Sequence, residues 1–108
     1  MTRDEAVAEI TRILVEYYHP ERIYLFGSVA RGDDGPDSDL DFCVVLPDDA
    51  PESLMRDGDV WRQLPCGADI IPWRSSDFDA RGKYVVASLP ATILREGKLL
   101  YDSRGVVA

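Results

Sequence analysis

Histidine and cysteine are scarce in this 108-residue chain: it has one of the first and two of the second. Cys43 and Cys66 match no metal-binding spacing such as Cys-x-x-Cys, and two thiols in a cytosolic chain stay reduced. Both are expected to be small buried hydrophobes. His19, directly before Pro20, reads as a helix-end cap rather than a catalytic group. Long apolar runs are also missing. The longest, Phe42 to Leu46, is strand-sized and falls far short of the ~18 residues of a membrane span. Met1-Thr2-Arg3-Asp4-Glu5 has no apolar stretch behind a basic start. No signal peptide and no membrane contact are therefore expected, and the expected compartment is the cytoplasm. Cations are few, 12 Lys and Arg against 20 Asp and Glu, for a net charge of −8. That argues against direct nucleic-acid binding, which normally needs a basic face. It leaves a nucleotide open, because divalent metals invert the local field.

What is present fits one domain over residues 1–108, large enough to bury roughly 65% of its unfolded surface. Thr2 and Glu5 form a capping-box pattern, and Val7, Ile10, Ile13, Leu14 and Tyr17 follow at helical spacing. That helix should stop before His19-Pro20. Ile23 to Phe26 reads as a strand ended by Gly27, and Gly32 to Asp37 as a surface loop. Asp39 to Leu46 is the clearest strand, with Leu40, Phe42 and Val44 on one face and Asp39, Asp41, Cys43 and Val45 on the other. Pro51 can open a helix to about Leu64, with Trp61 and Leu64 facing the core, although Gly58 weakens it. Ala68 to Trp73 reads as a third strand, with Pro72 pointing to an edge. Ser76 to Arg81 reads as a short helix capped by Ser76. The last helix covers either Val85–Glu96 or Pro90–Glu96, with Gly97 as its stop, and Lys98 to Tyr101 adds an edge strand. The fold class is therefore α/β or α+β, a small mixed sheet flanked by helices.

Five acids, Asp33, Asp34, Asp37, Asp39 and Asp41, fall within nine residues. The first three lack strand regularity and read as loop solubilisers. Asp39 and Asp41 are different, because residues i and i+2 of a strand share a face about 6.5 Å apart. Two carboxylates at that distance repel by roughly 2.5 kcal/mol at an effective dielectric of ~20. A hard cation such as magnesium between them removes the penalty; a fully solvated face is the alternative. Gly27-Ser28 ends a strand with a residue that lets a phosphate approach the backbone, followed by a hydroxyl able to cap a helix. Arg31 lies three residues on, within reach of the same phosphate. A plain strand-to-helix turn is the alternative there. Asp69 interrupts the apolar stretch Ala68-Asp69-Ile70-Ile71, where a charge is unexpected. Beside the Asp39–Asp41 strand it would complete a three-carboxylate cage for two metals; a strand-end aspartate facing water is the alternative. Trp73 and Tyr84 could line a nucleotide base, with packing the favoured role.

Gly27-Ser28-Val29-Ala30-Arg31-Gly32, the ten residues from Ser28 to Asp39-Leu40-Asp41, and Asp69 beyond them resemble the DNA polymerase beta-like nucleotidyltransferase superfamily. The leading helix, the Arg22–Gly27 strand and the ending Ile93 to Tyr101 look like its minimal members from bacteria and archaea. The resemblance implies that Gly27 and Ser28 hold the β- and γ-phosphates of a nucleoside triphosphate, with Arg31 also on phosphate. It implies that Asp39 and Asp41 bind two Mg2+ ions, and that Asp69 binds the catalytic one and takes the acceptor's proton. Larger relatives carry a helical acceptor domain; here another protein is expected to supply the acceptor. Minimal members pair with a helical HEPN-domain toxin, so the implied role is that of an antitoxin in a hetero-oligomer, moving AMP from ATP to a tyrosine of the toxin. Two other readings remain open: a module that blocks its partner by contact alone, and a transferase acting on a small molecule.

Overall fold

A computed structural model of the chain describes residues 2–27, 40–56 and 58–104. Helix α1 spans Arg3–Tyr18 and opens with the expected capping box. The Glu5 amide donates to Thr2 Oγ1, and the Thr2 amide donates to Glu5 Oε1, each at 3.1 Å. Two orphan donors of the first turn are thereby satisfied. The buried stripe is Ala6, Ile10, Ile13, Leu14 and Tyr18, with Val7 and Tyr17 at its margin. His19 closes the helix in the left-handed conformation, φ 50°, its amide donating to Val15 O at 3.0 Å. Pro20 then prevents continuation.

Four strands follow: β1 Arg22–Phe26, β2 Leu40–Leu46, β3 Ala68–Arg74 and β4 Lys98–Asp102, in the order β3-β2-β1-β4. The pair β1/β2 is antiparallel, β2/β3 is parallel, and β1/β4 is antiparallel with a bulge near Ile23 and Tyr24. The sheet is thus mixed, as expected. Phe42, Cys43, Val44, Val45 and Leu46 are all fully buried, because β2 is central and covered on both faces. Pro72 lies in edge strand β3, where a missing amide costs no ladder bond on the open side.

Helix α1 covers one face. There Ile10 and Leu14 pack with Ile23, Leu25, Leu40, Phe42, Val44, Val60 and Ile70. The other face carries Tyr24, Cys43 and Val45 under Phe78 of helix α3 (Ser75–Tyr84) and Ile93 of helix α4 (Leu89–Glu96). No helix among the described residues is long and apolar enough to cross a membrane.

Several local expectations are corrected. The single helix from Pro51 to Leu64 is instead a short helix α2, Glu52–Arg56, and a 3-10 helix, Asp59–Gln63, with Gly58 at the latter's start. The tighter period turns Val60 inward and leaves Trp61 48% exposed, while Leu64 packs only at the core's margin. Trp61 Nε1 donates to Ala68 O at 3.0 Å, so the ring lies over the entry to β3. Helix α3 is longer than expected, and its first-turn partner is not Ser76. Asp48 Oδ1, on the turn after β2, accepts from the Ser76 amide at 2.9 Å. The last helix follows the shorter alternative, with Ser88 Oγ accepting from the Ala91 amide. Gly97 stops it in extended backbone rather than the left-handed form. A Cβ there would meet Ile93 O at 2.5 Å and Leu25 O at 3.1 Å, so the helix's own carbonyl and a close approach to β1 together explain that glycine. Cys43 is buried, but Cys66 is exposed in the bend before β3.

Candidate active site

The strand directions place the site. β1 ends where its antiparallel partner β2 begins, and β3, parallel to β2, begins at the same edge. One end of the sheet therefore receives the exit of β1 and the entries of β2 and β3. Three of the expected site residues meet there. Asp41 lies opposite Phe26 on one side and opposite Asp69 on the other. Asp41 and Asp69 are side by side on neighbouring strands, ~4.8 Å apart at the backbone, and share the face of Cys43 and Val45.

Gly27 directly follows Phe26 and takes φ 83°. Only glycine adopts that conformation at little cost. The space above it is also closed: a Cβ would overlap Asp41 Oδ2 and lie 3.4 Å from Cγ. The backbone at Gly27 and the Asp41 carboxylate thus touch without an intervening side chain. Asp41 is half-buried, Asp69 is exposed, and the two carboxylates face the same space from different depths.

Ser28, Arg31 and Asp39 lie outside the described residues, as does the expected loop Gly32 to Asp37. Among the described residues no three His, Cys, Asp or Glu side chains gather as a metal cage. The donor set present is two carboxylates on adjacent strands with a bare backbone beside one of them. Its chemistry suits a hard, oxygen-seeking cation.

The weaker aromatic candidates fall elsewhere. Trp73 sits opposite Val45, four residues along β3 from Asp69 and so ~13 Å away. It packs beside Phe78 and Ile93, under the Arg81 guanidinium at 5.7 Å, and its buried Nε1 has no hydrogen-bond partner. Packing is its role, as expected. Tyr84 is 73% exposed at the end of α3, so it is not part of the core.

One cavity had no sequence signal. A hollow of about 460 Å³ lies at the opposite end of the sheet, lined by Glu21, Arg22, Asp79, Asp102, Ser103 and Arg104. Four of its ions are paired, Arg22 with Asp79 at 2.8 Å and Arg104 with Asp102 at 2.9 Å, and Glu21 Oε1 accepts from Ser75 Oγ at 3.0 Å. The Arg104 hydrogen bonds hold the Asp102 carboxyl down at about 2. Its residues come from β1, α3 and the end of β4, so only the fold assembles it.

The profile of the nucleotidyltransferase domain family matches residues 7–91, a span that includes Gly27, Asp41 and Asp69. The chain belongs to this family, whose members are transferases of nucleotidyl groups. A crystal structure of a protein from Sulfolobus solfataricus, assigned as a nucleotidyltransferase, superposes with a TM-score of 0.66 at 21% identity. That match covers 96% of this chain and 84% of the other. A crystal structure of a toxin–antitoxin with AMP-PNP matches with a TM-score of 0.55 at 18% identity, over 95% of this chain and 76% of that one. Both likenesses establish the fold. No curated protein matches the sequence significantly.

Proposed function

We propose that the chain transfers AMP from ATP to a hydroxyl, specifically a tyrosine of a HEPN-domain toxin, and acts as that toxin's antitoxin. The observation that carries the transfer site is the meeting of Gly27, Asp41 and Asp69 at one end of the sheet. Family membership supports nucleotidyl transfer. The fold shared with a toxin–antitoxin protein crystallised with AMP-PNP supports the partner class and the adenine nucleotide.

In this reading Gly27 and Ser28 seat the β- and γ-phosphates, and Arg31 adds a cation to them. Asp39, Asp41 and Asp69 would hold two magnesium ions. When bound, those ions supply Lewis-acid charge that offsets the negative charge building on phosphate oxygens. Gly27 keeps the Asp41 carboxylate in place by leaving it no side chain to avoid. Asp69, the more exposed carboxylate, takes the proton from the acceptor hydroxyl. The hydroxyl oxygen forms a bond to the α-phosphorus, the bond from that phosphorus to the β-bridging oxygen breaks, and pyrophosphate leaves.

The test is the intact mass of the partner after incubation with this chain, ATP and magnesium. Wild type should add one AMP or more, and Asp41→Asn should add none while keeping its melting temperature. Equal masses with both proteins would refute the reading. Neutralisation of the partner by Asp41→Asn, without any added mass, would favour blocking by contact.

A further inference from the structure

The corner where α3 turns into α4 exposes an apolar cluster that the transfer site does not use. Val86 is 79% exposed, and Tyr84, Val85 and Leu94 are also in solvent. Tyr84, Val85 and Val86 are consecutive in the chain, and Leu94 lies on the helix that packs against α3. A Cβ on Gly82 would meet Leu94 Cδ1 at 2.6 Å, so α3 and α4 are in close contact beneath them. Arg95 Nη1 donates to Val86 O at 3.2 Å. Tyr84 and Val85 border a shallow hollow of about 400 Å³ shared with Asp77, Ala80 and Arg81.

The turn is held firmly. Ser88 Oγ lies 3.0 Å from Arg81 O and 2.7 Å from Val85 O, and it accepts from the Ala91 amide. The apolar groups are therefore presented on fixed backbone, which lowers the ordering cost of binding. Their rim is basic. Arg81, Lys83 and Arg95 stand around the patch in a chain whose net charge is −8. Arg81 lies over Trp73, and Lys83 Nζ is 5.1 Å from the Tyr84 ring. Among the described residues no carboxylate forms an ion pair with any of the three. Asp77 is the carboxylate that lines the hollow.

We propose that this corner is a docking surface for a protein partner presenting an apolar segment flanked by carboxylates. An apolar centre with a charged rim is the usual anatomy of such a site. The basic rim opposes a symmetric contact with a second copy, which would set the same cations against each other. This inference stands apart from the transfer chemistry, and a chain with Asp41→Asn should still bind.

A random-peptide display library, selected on the wild-type chain and counter-selected on Val86→Asp, is the probe. Enriched peptides should combine an apolar run with Asp or Glu. Fluorescence anisotropy of one such peptide should show about tenfold or more loss of affinity with Val86→Asp. Arg81→Glu with Lys83→Glu should also weaken it, and Asp41→Asn should leave it unchanged. Val86 is almost fully solvated, so its substitution leaves the fold intact, which the melting temperature verifies. No enrichment, enrichment of basic peptides, or equal affinity for Val86→Asp would overturn the proposal. So would a concentration-dependent dimer in sedimentation that Val86→Asp abolishes, since a second copy would then cover the patch.

Discussion

Replacing Gly27 with alanine perturbs two things at once, and they can be separated. The backbone at φ 83° is left-handed, and an L side chain there costs about 1–2 kcal/mol. For a domain of this size that lowers the melting temperature by about 4–15 °C. The new methyl would also overlap Asp41 Oδ2, so the carboxylate must swing out of place. Misplacing a catalytic group by ~1 Å can cost about 100-fold in rate. Calorimetry and a nucleotide-transfer assay on Gly27→Ala should therefore show a modest loss of stability and a large loss of transfer. The same substitution on an Asp41→Ala background isolates the overlap. There the carboxylate is gone, so the stability penalty should shrink toward the backbone cost alone. An unchanged melting temperature and transfer rate in Gly27→Ala would refute both the strain and the close approach.

Three further outcomes are expected. Asp69→Asn removes one of two like charges facing each other across β2 and β3, so a melt in chelator should be unchanged or up by about 0.2–1 kcal/mol, with transfer lost; a clear destabilisation would make Asp69 structural. Burial pushes the Cys43 thiol up to about 12, whereas Cys66 is exposed; iodoacetamide at neutral pH should modify Cys66 alone, as peptide mass mapping would show, and rapid labelling of Cys43 would contradict its burial. The Asp102 carboxyl, held at about 2 by Arg104, sits below its unfolded value of ~3.9. Its contribution to stability is present above ~pH 4 and disappears as pH falls through about 2. The melting difference between wild type and Asp102→Asn should therefore be largest near pH ~7 and fade on acidification; a pH-independent difference would rule the linkage out.

Features set by local chemistry are legible in the chain itself. The Thr2–Glu5 cap, the apolar run of β2 and the edge position of Pro72 depend on residues close in sequence or on a single covered face. Those set by distant partners are not. The first-turn partner in α3 is Asp48, 28 positions before Ser76. The helix expected to run to Leu64 breaks around Gly58, where helical spacing of apolar residues carries no sign of a 3-10 segment. Cys66 has an apolar label but lies in a bend. At the site, residue spacing can put Asp41 on a face of β2, but the register opposite Asp69 is a property of the parallel pair. The contact of Gly27 with Asp41 needs both the positive φ and the antiparallel pairing.

The most direct test of a single transfer centre at Asp41 and Asp69 is labelling of the partner from ATP carrying its label on the α-phosphate or on the γ-phosphate. Wild type should pass on the α-label and leave the γ-label in pyrophosphate. Asp41→Asn and Asp69→Asn should each abolish the α-signal while retaining their folds. Transfer of the γ-label, or wild-type α-labelling by either variant, would contradict the account.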